Sequence, residues 1–401
     1  MRPYRFVNGK IITPFDLLDD YVVDVVGSRI CDICQGTCRS VSGDPTVIDL
    51  AGKYLCPGFI DIHNHGAMGI DFDNLPEDTS PTAQFLSEKG VTGFLLTTGS
   101  PPVEKIIKNL ATARRIIEKD SSGAQAIGIN MEGPYLNPKY GAQRDNTLVP
   151  KREEYEPIVE TALPHLRLMT VPPEREGAYA LISHLQSKGV GVAIGHSEAS
   201  HEQIDYAILH GACLTTHIFD AFCPPVQTMK GVKAVGIEEY LMTREDLMAE
   251  VLPDGQGIHV HPILLRLLLS VKGKDKLILI TDSTFPAGTR PTDEPDSLGR
   301  VFEIRDDLRF NKHNGDLSGS VLTLDRAVRN MMVHTDVSLK DAVLMASHNP
   351  AKLLRLDSRK GSIRVGMDAD LVVIDENVNV HLTMVAGKVV FNRLAGEPIL
   401  S

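Results

Sequence analysis

From Leu55 onward the chain repeats one unit: a short apolar run followed by a stretch with helical spacing. The runs are Leu55 to Ile62, Gly93 to Thr98, Ala126 to Met131, Leu166 to Val171, Gly191 to Ile194, Ala212 to Thr216, Leu247 to Leu252 and Leu277 to Ile280. Between them lie stretches such as Pro81 to Lys89, Val103 to Lys119, Ala178 to Lys188 and His201 to His210. Strands that alternate with helices read as parallel βα units. Eight such units close naturally into a barrel, so the pattern predicts an α/β fold built on a (β/α)8, TIM-like barrel.

A chain of 401 residues exceeds a barrel of ordinary size. Residues 1–54 alternate short apolar runs (Tyr4 to Val7, Lys10 to Ile12, Tyr21 to Val26, Thr46 to Asp49) with Gly, Pro and Asp turns, and residues 356–401 return to the same texture. Each half is too short to bury a core alone. The two are therefore expected to form one small β-sandwich, with the catalytic barrel spanning 55–355. After the eighth run come a polar loop, the Gly-rich Leu317-Ser-Gly-Ser-Val321, a helix through about His334 and another ending near Ser347-His-Asn-Pro350.

Charge and cysteine usage narrow the function classes. Lys+Arg 41 against Asp+Glu 52 gives a net charge of -11 with no basic stripe, which excludes nucleic acid and an anionic membrane as expected partners. No apolar run approaches membrane-spanning length, and Met1-Arg-Pro-Tyr lacks the core of a signal peptide, so a cytoplasmic location is expected. The 6 cysteines are scattered, unlike a secreted disulfide framework. Cys31, Cys34 and Cys38 offer three thiolates with no fourth ligand near, so free thiols on a peripheral sheet are expected rather than a metal site.

In such barrels the reactive residues stand at the C-terminal ends of strands and in the loops that follow. His63 and His65 follow the first run, Glu132 the third, His196 the fifth, His217 the sixth and Asp282 the eighth, while His259 lies in the loop after the seventh. In a strand, residues i and i+2 share a face, so His63 and His65 aim the same way. Imidazole and carboxylate suit Zn or Fe(II). Glu132, His196 and His217 make one three-ligand site; His63 and His65 make a second bridged by Glu132, or line a single-ion pocket. One or two ions per subunit are expected. Asp282 beside the ion would take a proton from water and deliver it to a departing amine, with His259 holding the developing oxyanion. Hydrolysis of an amide or similar bond is the reaction class this set supports.

The order and spacing of these motifs resemble the amidohydrolase superfamily and, within it, the N-acetylglucosamine-6-phosphate deacetylases. The resemblance runs through Pro57-Gly-Phe-Ile-Asp-Ile-His-Asn-His-Gly66, Met131-Glu-Gly-Pro-Tyr-Leu-Asn-Pro138 with Gly141-Ala142, Ile194-Gly-His-Ser197, Thr216-His-Ile-Phe-Asp-Ala221, Thr281-Asp-Ser283, Leu317-Ser-Gly-Ser320, and Asn349-Pro-Ala351 followed by Gly361 to Asp375. It implies that Glu132, His196 and His217 are metal ligands, that Asp282 is the catalytic acid/base, and that His63 and His65 match members retaining a His pair. It also implies a substrate-contacting His259, a sugar pocket lined by Ala142, Gln143, Asp220, Ala221, Leu317, Ser318 and Gly319, and a homodimer.

Three positions depart from the family pattern. Gln143 stands where the family commonly has His, and Asp220 where it has Asn. The family's Arg-Glu-Pro-Gly-like stretch, whose arginine binds the sugar phosphate, has no match in Cys223 to Gly231, where Lys230, or Lys233 just beyond, would substitute as a point charge. The expected reaction is deacetylation of a small N-acetylated amino sugar, foremost N-acetylglucosamine 6-phosphate, giving glucosamine 6-phosphate and acetate. The alternatives are N-acetylgalactosamine 6-phosphate, an unphosphorylated N-acetyl sugar or another N-acyl compound. From another class, a catalytically silent assembly protein is disfavoured by retention of Glu132, His196, His217 and Asp282.

Overall fold

A computed structural model describes residues 2–36, 44–142, 146–227, 229–290 and 299–394. Its centre is a parallel sheet of eight strands: Phe59–Asp61, Val91–Thr98, Gln125–Met131, Leu166–Thr170, Gly191–Ile194, Ala212–Thr215, Met248–Val251 and Leu277–Leu279. Each strand is hydrogen-bonded to the next in chain order. Val91–Thr98 is buried at every residue, as parallel strands covered by helices on one side and filled with side chains on the other must be.

The first run divides where the sequence reads as continuous. Tyr54–Pro57 leaves the barrel and pairs with Lys10–Ile12 and Leu371–Ile374, and only Phe59–Asp61 joins the barrel sheet. Gly58 makes the break, because a Cβ there would lie 2.1 Å from Thr92 Oγ1. Only glycine lets the chain pass that close.

Helices cover the barrel where the sequence placed them, as Ser80–Glu88, Val103–Ile117, Ala178–Ser187 and His201–Leu209. Val103–Ile117 buries Ile106, Leu110 and Ala113, one face at helical spacing. His201–Leu209 opens with a reciprocal cap between Ser200 and Gln203. Arg152–Ala162, Ile237–Thr243, Pro262–Lys272, Leu324–Thr335, Leu339–Ala346 and His348–Leu353 are the other α-helices among the described residues. Among the described residues no helix is long and apolar enough to cross a membrane.

The barrel closes between its eighth and first strands. Past the named ends of the eighth and first strands, Asp282 N donates to His63 O at 2.9 Å and His65 N donates to Ser283 O at 2.7 Å. One turn below, the buried Asp61 carboxylate accepts from Thr281 Oγ1 at 2.7 Å. The seam thus runs through residues singled out for chemistry.

The two chain ends meet in a six-stranded sheet ordered Lys388–Asn392, Val380–Val385, Leu371–Ile374, Tyr54–Pro57, Lys10–Ile12, Leu17–Leu18. Its residues alternate between two cores. Ile11, Leu55, Leu371 and Val373 face a sandwich core shared with Phe6, Val23 and Val25 of a four-stranded sheet, while Ile12, Cys56, Val372 and Ile374 pack on the barrel. Cys31 is a free thiol on that outer sheet but Cys34 is disulfide-bonded, which corrects the free-thiol expectation there and removes a thiolate from the three-ligand alternative. Cys38 lies outside the described residues.

Candidate active site

The strand-end residues converge. Glu132 Oε1 lies 2.8 Å from His217 Nε2, 3.0 Å from His196 Nε2 and 3.5 Å from His63 Nε2. Its other oxygen is 3.2 Å from His65 Nε2. Asp282 Oδ1 faces the same two rings from the far side of the seam, 3.3 Å from His65 and 3.7 Å from His63. His196, His217 and Asp282 have φ of 50°, 20° and 46°, a region that side chains other than glycine's enter at a cost and that clusters at working sites.

This donor set fits a divalent ion. Imidazole nitrogens and carboxylate oxygens meet in a buried space, and two overlapping sets of three ligand atoms, His63/His65/Asp282 and His63/Glu132/His217, lie within 4.8 Å of one another. The expected grouping of Glu132, His196 and His217 is joined through Glu132, and His63 belongs to both compact sets. The site also demands positive charge. Burial works against a charged His65, yet hydrogen bonds to Asp282 and Glu132 outweigh it and raise the ring to about 10. His217 rises to about 9 against the same burial through Glu132. Burial likewise opposes a charged Glu132, but His63 and His196 hold its carboxyl well below the usual range.

Several expected substrate contacts share one cavity. Ala142, Asp220, Leu317, Ser318 and Gly319 line it together with Glu132, His196, His217, His65 and Asp282. Gly319 has φ 74°, and a Cβ there would fall 2.9 Å from Asp282 O, so the Leu317–Ser320 strand can lie against Asp282 only with glycine at that point. The His259 side chain is buried behind the wall, its Nε2 3.6 Å from Asp220 Oδ2, and its loop is fixed by Asp254, which accepts from Ile258 N at 2.7 Å and His259 N at 2.9 Å. Ala221 carries its carbonyl to Ser197 N at 3.1 Å and stands beside the His196 ring rather than on the cavity wall. Gln143 lies outside the described residues.

Lys230 is not brought to the cavity. It is exposed, and Lys233 is exposed beside Glu239 at 3.5 Å. Among the described residues, the lysines and arginines on the wall are Lys105, Arg300 and Arg309. Arg309 is buried, with its guanidinium carbon 3.3 Å from the Phe302 ring centre, and Nη1 donates to Ser318 O at 3.4 Å. Nothing in the pattern Leu308-Arg-Phe-Asn311 marks that arginine. Glu250 was also missed: it accepts from His63 Nδ1 at 2.9 Å and from His217 N at 3.1 Å. A lone acid inside the apolar run from Leu247 to Leu252 was the available signal.

Known proteins place this arrangement. The Amidohydrolase family model matches residues 266–390. An N-acetylglucosamine-6-phosphate deacetylase of Lysinibacillus sphaericus is 32% identical over 342 residues, covering 84% of this chain and 86% of that protein. An N-acetylgalactosamine-6-phosphate deacetylase of Escherichia coli O157:H7 is 30% identical over 383 residues, covering 94% and 97%. The crystal structure of N-acetylglucosamine-6-phosphate deacetylase from Pasteurella multocida superposes with a TM-score of 0.87 at 28% identity, covering 96% of this chain and 99% of that one. With a barrel of this form, a buried histidine–carboxylate centre at its mouth and relatives matched over most of their length, the chain belongs to the N-acetylglucosamine-6-phosphate deacetylase family of the amidohydrolases.

Proposed function

We propose that the chain removes the acetyl group from N-acetylglucosamine 6-phosphate, using Zn or Fe(II) and Asp282. The observation that carries this reading is the convergence of four imidazoles on Glu132 and Asp282 beside one cavity. Glu132, His196 and His217 would hold one ion, and His63 and His65 a second shared with Glu132. An ion so held supplies Lewis acidity to the scissile carbonyl and makes attacking water more acidic.

The protein's own groups handle protons and orientation. Burial opposes a charged Asp282, but His65 and His63 hold its carboxyl below the ordinary value, so it enters the reaction as a base. It takes the proton of the attacking water and returns it to the departing amine nitrogen, one residue serving both steps. His259, steadied by Asp254 and held behind the wall against Asp220, would donate to the oxyanion or a sugar hydroxyl once a substrate draws it from that carboxylate. Ala142 and Leu317 to Gly319 would fit the sugar and its acetyl group. Lys105, Arg300 and Arg309, rather than Lys230, would answer a phosphate at the wall.

A second reading has its own support. Asp220 lies on the same wall, and although burial opposes it, His259 keeps that carboxyl well below the usual range and so ionised. A fixed negative charge there favours an unphosphorylated sugar. Acetate release from the Zn-loaded protein, assayed with N-acetylglucosamine 6-phosphate, N-acetylgalactosamine 6-phosphate and N-acetylglucosamine, separates the readings. A kcat/KM at least tenfold higher for N-acetylglucosamine 6-phosphate is expected. Equal values with and without phosphate would transfer the assignment to the neutral sugar, a preference for the galacto epimer would move it to that substrate, and no acetate from any of the three would end the deacetylase reading.

The same reading includes a cytoplasmic homodimer whose catalytic barrel starts at Phe59 and runs to about 355, with a sandwich of 1–57 and 356–401. Val226, Met229, Val232 and Val235 are exposed on the loop after the sixth strand, and Ile258 and Ile263 near His259, the kind of apolar surface that a second subunit covers.

A further inference from the structure

We infer that Glu250 is a positioning residue that keeps the two ion positions in register, an inference that rests on the metal-dependent reading above. Glu250 sits in the middle of the seventh barrel strand, Met248–Val251, and is 1% exposed. A carboxylate in such a place is costly unless hydrogen bonds answer it. Both of the bonds described for its side chain go to one atom. Oε2 accepts from His63 Nδ1 at 2.9 Å and from His217 N at 3.1 Å. Its own carbonyl accepts from Ile218 N at 3.0 Å, so the segment after the sixth strand is held twice.

Each contact has a chemical consequence. A proton shared between His63 Nδ1 and the carboxylate leaves the Nε2 lone pair facing Glu132 Oε1 at 3.5 Å and His65 Nε2 at 3.2 Å. That is the tautomer a metal ligand needs, and the carboxylate makes the ring a stronger donor. His217 is held differently. Its Nδ1 has no hydrogen-bond partner among the described residues, so its second ring nitrogen does not orient it. The amide bond to Glu250 does so instead, at a residue whose φ of 20° is sparsely allowed. Since His63 and His217 sit together in one compact ligand set, a shift of Glu250 moves ligands of both positions at once.

A purely structural role predicts a different result from this one. Glutamine at 250 can accept both bonds through its amide oxygen, so it preserves the architecture and removes only the charge. Glu250→Gln is expected to fold with an unchanged Tm and to bind Zn2+ about 10- to 100-fold more weakly, as read by equilibrium dialysis of the metal-free protein. On reloading with excess Zn2+, kcat should fall while KM stays. Zn2+ affinity equal to the parent's would overturn the inference. Should that variant not fold, 15N-imidazole spectra of the unmodified Zn-loaded protein decide: His63 protonated at Nδ1 supports the inference, and protonation at Nε2 overturns it. A parent that binds no Zn2+ at all removes the functional reading itself, whereas a parent that binds it and a Gln variant that matches it remove this inference alone.

Discussion

Two of the places where the chain buries carboxylates answer them with different bases. At the foot of the outer sheet, Asp368 pairs with Arg29 Nη1 at 2.6 Å, Arg359 Nη2 at 3.1 Å and Lys360 Nζ at 3.5 Å, and Lys360 also pairs with Asp370. At the barrel mouth, the described partners of Glu132 and Asp282 are imidazoles. Arginine is always charged and lysine ordinarily is near neutrality, so the first cluster is complete as built. Imidazoles titrate near neutrality and can trade their protons for a metal ion, so the second stays open to one. The sequence motif from Gly361 to Asp375 therefore has a mechanical role. Asp370 also takes Ala386 N at 2.7 Å through its side chain and Gly58 N at 2.9 Å through its carbonyl, fastening the C-terminal strands to the start of the barrel.

The contrast can be broken first at the mouth. Asp282→Asn is expected to retain its Zn2+ while kcat falls about 10³-fold, roughly 4 kcal/mol in the barrier, as measured by metal content and acetate release on the same sample. Near-parental turnover would place the proton transfer elsewhere. The complementary change is Lys360→Met, which leaves Asp370 buried without its cation. It should cost about 3 kcal/mol in urea unfolding and leave the kcat of the folded protein unaltered. A variant of parental stability would show that the cluster is not what joins the two cores.

A half-buried lysine sharpens the rule with the smallest effect. Lys272 Nζ donates only to carbonyls among its described partners, Arg244 O at 2.8 Å and Leu247 O at 2.9 Å, and burial pushes it down from the usual 10.5 to about 8. With its folded value depressed, the unfolded chain binds more protons between about pH 8 and pH 10.5. Stability from this group therefore rises across that window and is at its minimum below it. Urea midpoints between pH 7.5 and 10 should climb less in Lys272→Met than in the parent, and parallel curves would show that the lysine is not depressed.

The sequence was legible where position and periodicity decide the outcome. Alternating runs predicted the barrel because strand and helix periods differ, and His63, His65, Glu132, His196, His217 and Asp282 stood out because a polar residue ending an apolar strand points into the mouth. The break at Gly58 was invisible, since apolar residues continue through it and only the approach of Thr92 demands glycine. Arg309 was equally hidden: its place on the wall depends on how the strands Phe302–Arg305, Leu308–Asn311 and Leu317–Ser320 fold back over the barrel. Lys230 was chosen for its closeness in sequence to the family's arginine, and proximity along an exposed loop does not fix a direction in space.

The seam between the eighth and first strands carries a further consequence. Its backbone clasp includes Asp282 bonded to His63 and His65 bonded to Ser283, so turning the curved sheet into a ring and bringing the base to the histidine pair are one event. An incompletely closed ring has no partially working site. Hydrogen exchange at the amides of Asp282 and His65 should thus report catalytic competence directly, each opening of the ring silencing the molecule until it shuts.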